Sequence, residues 1–341
     1  MKQKKVTFAD IAAYTGFSKT TISRYFNNPD SLTLENQEKI AHALDVLGYQ
    51  ENKLAKVLAN GKSEFVGIII PNLYLHYYSE MLNQLLSTYE KYNYKFLVFI
   101  GNNKKEIEEK YIHELMAYKI EGLIVLSNTI SSEELASYKL PVVTIERECD
   151  HVCSVSTDNY LGGVQATSLL IRNKCDVILH INSIFPDTLP TYGRIRGFED
   201  ICNEHHVAHE LIQRDLGNTY QETLTQLKNI FNEIEEKYPS QKKGVFLAND
   251  TYASMFLNLI FQKYGKLPKD YQIVGFDDSP IASEAILPIT TVGQQIEKIA
   301  QTAMELLVLQ MNEMKKRKPA PLKEPVHKQI TPVLIRRDTT D

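Results

Sequence analysis

Between Phe65 and Phe276 short apolar runs alternate with amphipathic stretches, and this alternation limits the fold more than any other feature of the chain. Strand-like runs lie at Phe65–Pro71, Lys95–Ile100, Gly122–Leu126 and Pro141–Ile145. A second series follows at Val152–Ser156, Val177–Ile181, Gly244–Ala248 and Ile273–Phe276. Helical spacing fills about 77–92, 105–118 and 131–138, then about 161–172, 194–206, 219–236 and 251–264. A strand that is apolar on both faces needs cover on both, and helices flanking a parallel sheet provide it. Two series therefore predict an α/β body of two doubly wound parallel-sheet lobes. Such sheets hold ligands beyond the carboxyl ends of their strands, so a site belongs in the cleft between lobes.

The first fifty residues follow another pattern. Thr7-Phe8-Ala9-Asp10 fits a capping box, with Asp10 reaching back to the Thr7 N–H. Ile11, Ala12 and Thr15 continue that helix, and Gly16 supplies the left-handed residue that ends it. Ser18 can cap a second helix over Lys19–Asn27. Its polar face carries Lys19, Thr20 and Arg24, with Thr21 and Ser23 beside them, while Ile22 and Phe26 face inward. Two short helices around a tight glycine turn make an all-α helix-turn-helix head, in which arginine can pair with a guanine edge. The same spacing also suits an ordinary amphipathic helix pair. Asn27-Asn28-Pro29-Asp30 is a turn signal. Thr33 then caps a third helix with the stripe Ile40, Leu44 and Leu47, closed by Gly48. Residues 50–63 are polar with a glycine stop, too short for a stable isolated helix, and read as a linker that becomes helical on a partner.

A chain of 341 residues suits two or three domains, and shares of 43% hydrophobic and 23% charged residues belong to a soluble globular protein. The net charge of −4 hides an asymmetry. Residues 1–63 hold nine basic and six acidic side chains, a surplus of three, which leaves about −7 for the rest. A basic head on an acidic body fits a head that meets phosphate and a body that does not. No apolar segment follows the charged N-terminus and no run reaches membrane-spanning length, so a cytoplasmic chain is expected.

Cys149, Cys153, Cys175 and Cys202 form no C-x-x-C pair and read as reduced, mostly buried thiols. His205, His206 and His209 lack carboxylate support and read as a solvated helix-to-loop region rather than a metal site. Lys315 to Pro319 reads as a solvated helix end. Neither metal nor cofactor is expected. Glycine-rich phosphate loops and a G-x-S-x-G elbow are absent from the sequence. An enzyme would have only Asp277-Asp278 as paired carboxylates, with no base placed beside them.

Several further pieces fall in a fixed order. After the head come Gly48-Tyr49 with Asn52, Ala55 and Leu58, then Thr157-Asp158-Asn159-Tyr160-Leu161-Gly162-Gly163 and Arg194-Ile195-Arg196-Gly197-Phe198. Ala248-Asn249-Asp250, Ile273-Val274-Gly275-Phe276-Asp277-Asp278, Thr290-Thr291-Val292-Gly293-Gln294 and Leu334-Ile335-Arg336-Arg337-Asp338 follow. With these blocks the chain resembles the LacI/GalR family of bacterial transcription repressors over essentially its whole length.

The resemblance implies that Lys19, Thr20 and Arg24 contact base edges. It implies a phosphate-positioning set of Thr7, Ser18, Thr21, Ser23, Asn27, Thr33, Tyr49 and Asn52. The linker becomes the hinge helix, with Leu58 as a minor-groove wedge and Ala55 allowing paired hinges to approach. Leu58 could instead pack on a lobe. Glu51 stands where the family usually has proline, which predicts a less rigid hinge start and slightly weaker binding to phosphate.

By the same resemblance the lobes are of periplasmic-binding-protein type and close on a small-molecule effector that is a carbohydrate or its derivative. Its expected contacts are Asn72, Tyr74, Tyr78, Asp158, Arg194, Asn249, Asp277 and Gln294, with Tyr77 or Tyr78 stacking on a ring. Asp277 and Asp278 could instead make strand-end turn bonds, and Arg194 a lobe salt bridge. Pro190 and the stretch Ile184–Tyr192 depart from the family pattern, so the effector's identity is not readable.

The expected organisation is a head over 1–50, a hinge over 51–63, a first lobe over 64–160 and 292–320, and a second over 161–291 and 321–341. The expected function is effector-gated repression by a homodimer on pseudo-palindromic double-stranded operator DNA, with no heptad tail for tetramers. A secreted solute-binding protein would need a leader and would lack the head.

Overall fold

A computed structural model of the chain describes residues 6–50, 63–147, 150–316 and 324–341. The chain divides into two units, one ending at Lys62 and one beginning at Ser63.

The first unit holds α1 (Phe8–Thr15), α2 (Lys19–Asn27) and α3 (Leu34–Leu47). The Asp10 carboxylate accepts from the Thr7 N–H at 2.8 Å, and the Ser18 hydroxyl accepts from the Thr21 N–H at 3.1 Å. Thr33 caps α3, and Gly16 at φ 76° lets the chain leave α1 and turn into α2. Ile11, Ile22, Ile40 and Ala43 form the centre, with Leu44 and Leu47 partly buried around it. Phe26 stacks on Phe8 with centroids 5.2 Å apart. The turn signal after α2 is a single 3₁₀ turn over Pro29–Ser31, which Gln37 holds by donating to the carbonyls of Pro29 and Leu32.

The second unit holds two six-stranded sheets. The first is built from β1 (Phe65–Ile70), β2 (Lys95–Ile100), β3 (Gly122–Val125), β4 (Val142–Ile145), β5 (Cys153–Thr157) and β11 (His327–Ile330), in the order β11-β5-β4-β3-β1-β2, all parallel. The second contains β6 (Val177–Ser183), β7 (Ala208–Arg214), β8 (Lys243–Leu247), β9 (Tyr271–Asp277), β10 (Thr290–Gly293) and β12 (Val333–Ile335). Its order is β12-β10-β9-β8-β6-β7, parallel except for β12 against β10. Both sheets place their second strand outside the first and build the rest on the other side, the doubly wound arrangement.

Helices cover both faces of each sheet. On the first, α4 (His76–Ser87), α5 (Tyr89–Tyr92) and the later α13 (Ile296–Met314) lie on one side, where Met81, Leu85 and Leu307 are buried. On the other, α6 (Lys105–Ala117) and α7 (Ser132–Ser137) bury Ile112, Leu115 and Leu135. In the second lobe, α8 (Asn159–Arg172) and α9 (Gly193–Glu204) bury Leu170 and Phe198. Opposite them, α10 (Tyr220–Lys237) and α11 (Asp250–Tyr264), with α12 (Pro280–Glu284) beyond, bury Phe231 and Phe256.

The structure departs from the sequence reading at the short strands. The segment 321–341 was expected in the second lobe, yet His327–Ile330 pairs with β5 in the first sheet, and only β12 joins the second. Val292 and Gly293, expected in the first lobe, pair with β9 in the second. Val152–Ser156 opens no second series, because β5 lies beside β4. His327, Lys328 and Gln329 are exposed, so β11 has no apolar signature for periodicity to find. The same reason hid β7, a half-exposed edge strand, which puts His209 on a strand instead of a loop. The helix expected over 77–92 breaks at Thr88. Lys315 is more than a solvated end, since it pairs with Glu121 at 2.5 Å and donates to the Tyr94 hydroxyl at 2.8 Å.

Candidate functional site

On the head, Lys19, Thr20 and Arg24 are exposed on α2, which contains no acidic residue. Thr21 and Ser23 are half-buried beside them. Asn27 donates to the Ser23 carbonyl at 3.0 Å and to its hydroxyl at 3.1 Å, so both stay on the helix surface in fixed rotamers. Thr7, Ser18 and Thr33 are exposed at the N-termini of the three helices, where backbone N–H groups and the helix dipole favour an anion. Tyr49 packs its ring against Phe8 and Phe26, at 5.9 and 5.7 Å between centroids, and so closes the aromatic side of the core. The hinge expectations at Asn52, Ala55 and Leu58 lie outside the described residues, as does Cys149.

The second constellation forms where the chain crosses between lobes. Thr157 ends β5 and Gln294 follows β10, each at such a crossing. The Thr157 hydroxyl donates to Gln294 Oε1 at 2.7 Å, and Gln294 Nε2 donates to Asp277 Oδ1 at 2.5 Å. A buried chain of hydrogen bonds thus runs from the first sheet to the end of β9 in the second. A parallel chain starts at Glu146, just after β4. Its carboxylate accepts from the Thr157 N–H at 2.6 Å and from Asn159 Nδ2 at 2.9 Å. Asn159 Oδ1 accepts from Arg194 Nε at 2.7 Å, and Arg194 Nη1 donates to the Ala248 carbonyl at 2.6 Å. The guanidinium lies 3.6 Å over the Phe276 ring.

Local packing fixes these positions. A Cβ at Gly163 would stand 2.4 Å from the Arg194 carbonyl oxygen, and one at Gly197 equally close to that of Tyr160. The glycines let α8 and α9 approach until Asn159 and Arg194 meet. Asp277 has φ 116°, a strained conformation for a side-chain-bearing residue that the surrounding bonds hold. Burial raises its carboxyl well above the carboxylate range; Arg194 opposes that shift and Asp250 adds to it. Burial likewise pushes Asp250 up to about 7, although Thr291 and Ser279 donate to it.

Of the expected effector contacts, the structure brings Arg194, Asp277 and Gln294 together. Asp158 does something else: its carboxylate caps α8 by accepting from the Leu161 N–H at 3.0 Å, and its neighbour Asn159 is the one turned into the buried chain. Asn249 caps α11 through the Tyr252 N–H at 2.8 Å, and Asn72 accepts from the Leu75 N–H at 3.2 Å. Asp278 binds Arg337 at 2.5 Å, away from its neighbour's chain.

The loop before α4 reaches across the lobes. Leu75 packs on the second lobe's core, and the His76 N–H donates to the Thr251 hydroxyl at 3.0 Å. Burial raises Tyr74, which lies beside Thr223 and Tyr252, and it also raises Tyr78. Tyr77 is buried, its ring 5.4 Å from that of Tyr78, and its hydroxyl has no hydrogen-bond partner. Burial raises that hydroxyl, and Glu146, Asp277 and Arg194 are the charges that face it.

Sequence reading missed Glu146, Asn159 and His76 among the residues joining the lobes. The signal for Glu146 was available, because it follows a strand whose end had been placed at Ile145.

Residues 7–52 match the model of the bacterial regulatory proteins of the lacI family, and residues 168–340 that of the periplasmic binding protein-like domain. The chain belongs to the LacI family of DNA-binding transcriptional regulators. It is 26% identical over 303 residues to the sucrose operon repressor of Streptococcus mutans serotype c, covering 88% of this chain and 91% of that one. It is 25% identical over 306 residues to the ribose operon repressor of Halalkalibacterium halodurans, covering 89% and 90%. The fold matches the lac repressor dimer bound to operator and the anti-inducer ONPF, with TM-score 0.81, 21% identity and 99% coverage of both chains. It also matches a LacI transcriptional regulator from Alkaliphilus metalliredigens complexed with D-xylulofuranose, with TM-score 0.69, 26% identity, and coverage of 82% and 100%. Within this LacI-family chain the described helices include none long and apolar enough to cross a membrane.

Proposed function

We propose that the protein represses transcription as a homodimer whose grip on a pseudo-palindromic operator is set by a sugar-like effector held between the lobes. The observation that carries the reading is the capped α1–α2 pair, which leaves Lys19, Thr20 and Arg24 exposed on a helix face with no acidic residue. Lys19, Thr20 and Arg24 read base edges. Thr7, Ser18, Thr21, Ser23, Asn27, Thr33 and Tyr49 position the head on phosphate, with Asn52 beside the hinge. Leu58 is the minor-groove wedge, with Ala55 at the hinge contact.

The effector meets Tyr74, Tyr78, Arg194, Asp277 and Gln294, joined by Glu146, Asn159 and Tyr77. Asn72, Asp158 and Asn249 shape the walls. Relatives that repress sucrose and ribose operons support a sugar-like ligand. The protein acts by binding, without a chemical step. For the homodimer, the support is the free edge of the first sheet, where alternate residues Val98 and Ile100 of β2 are exposed.

Fluorescence anisotropy with symmetric operators from the gene's own neighbourhood tests the reading at fixed salt. Nanomolar binding that falls on addition of one sugar supports it, and a fall on sugar removal marks the opposite logic in the same machine. Equal affinity for operator and scrambled duplex sinks it.

A further inference from the structure

We propose that the cleft admits an uncharged, polyhydroxylated ligand and turns away the phosphorylated or carboxylated forms of the same sugar. The inference rests on the cleft being the effector site.

Four features of the cleft point the same way. Glu146 and Asp277 bring carboxyl oxygens from the two lobes, and each group can make more hydrogen bonds than the one or two it has. These acceptors want hydroxyl donors, which a sugar ring has in numbers and a phosphate dianion lacks. The Tyr77 hydroxyl is buried with no partner and within the electrostatic reach of Glu146, Asp277 and Arg194, so a ligand hydroxyl there would satisfy a group that otherwise goes unmet.

Among the described residues Arg194 is the cation that this constellation holds, and it is already divided between Asn159, the Ala248 carbonyl and the Phe276 face. A phosphate site would need the guanidinium fork free. Two helix N-termini at this end of the second lobe are closed by side-chain caps. That of α8 is capped by the Asp158 carboxylate, and that of α11 is capped by Asn249 with Asp250 as its first residue. At α8 a carboxylate therefore occupies the place where the helix dipole would hold an anion.

The test uses the full-length dimer in matched ligand sets: sucrose and sucrose 6-phosphate, ribose and ribose 5-phosphate, and glucose with glucose 6-phosphate and gluconate. Thermal shift finds the set that binds, and titration calorimetry ranks its members. The neutral member is expected to bind more than tenfold tighter than its anionic partner. An anionic member that binds as well or better overturns the proposal. If no member of any set binds, the effector-site reading fails and takes the proposal with it.

Glu146→Gln supplies the second readout, because glutamine keeps the shape and one accepting oxygen but removes the charge. The tenfold gap should narrow in that variant, mainly through tighter binding of the anionic member. A gap that stays as wide in a folded Glu146→Gln protein removes charge as the cause and overturns the proposal.

Discussion

The head and the cleft are both polar sites, but they are assembled in opposite ways. On the head, the bonds that set the surface span three or four residues, as in Thr7 with Asp10, Ser18 with Thr21 and Asn27 with Ser23. Their side chains stay at the surface and wait for a partner. In the cleft, Thr157 meets Gln294, and Arg194 meets the Ala248 carbonyl, so each bond depends on the whole body being folded. These groups are buried, and their polar atoms are largely spent on one another. A surface built locally tolerates loss of its neighbours. A buried network built over long range does not.

The largest test of that contrast sets two glycines side by side. Gly163 in α8 lies where a Cβ would meet the Arg194 carbonyl oxygen at 2.4 Å, and backbone cannot step aside cheaply. Gly163→Val should cost the body about 3 kcal/mol of stability, with loss of effector binding. Gly16 has φ 76° with open space around it, so Gly16→Ala should cost the head only about 1 kcal/mol of backbone strain. Differential scanning calorimetry of the full chain separates the two. Equal losses would break the contrast.

Next in size is a pH effect confined to the buried side. Asp250 has its carboxyl raised to about 7 from an ordinary value of 3.8, so the folded state binds the proton more tightly than the unfolded one. Its contribution to stability is therefore complete below the ordinary value and is lost as pH rises toward the raised one. Between pH 5 and 7 the wild type should lose about 2–3 kcal/mol relative to Asp250→Asn, from about 1.4 kcal/mol per pH unit. The two proteins are compared because exposed carboxylates such as Glu233, which Arg214 holds below its ordinary range, run the other way. Urea melts at both pH values measure the difference, and parallel curves for the two proteins would count against a buried, proton-holding Asp250.

The same contrast explains what could be read in the chain. The head was legible nearly residue by residue, because caps, a glycine stop and i, i+4 spacing are all local and all survive in the fold. The two lobes were legible as alternation, since eleven of their twelve strands pair in parallel beneath helices, and only β12 runs antiparallel to its neighbour. Membership of β10 and β11 was not, because which sheet a short strand joins is decided by partners far away in sequence. In the cleft, Asp277 and Gln294 sit at strand ends and were found there, whereas Asp158 and Asn159 are neighbours that only the helix start tells apart.

The exposed side gives the third expectation. Arg24→Ala should weaken operator binding by about 1–3 kcal/mol, roughly five- to 150-fold, and relax the choice at one base pair. Lys19→Ala should weaken operator and non-specific duplex more evenly and flatten the salt dependence. Neither substitution should move the melting of the body, since α2 and the lobes belong to separate units. Anisotropy across a salt series measures both, and an Arg24→Ala protein with unchanged specificity would remove α2 from base reading.

The smallest effect lies where the start of α4 meets the far lobe. His76, the first residue of α4, places both its N–H, at 3.0 Å, and its ring Nδ1, at 3.1 Å, on the Thr251 hydroxyl. His76 is only half-buried, so water can replace that hydroxyl when it is removed. Thr251→Val keeps the volume and should cost the contact between lobes about 1 kcal/mol, within a tenfold change in effector affinity. Burial holds the His76 imidazole below its ordinary value, so it stays neutral near pH 7 and its ring nitrogen can accept from the threonine. Calorimetric titration of wild type and Thr251→Val with the same sugar reads the change. A loss as large as that of Gly163→Val would mean that this single bridge, instead of the buried chain through Gln294, holds the lobes in register.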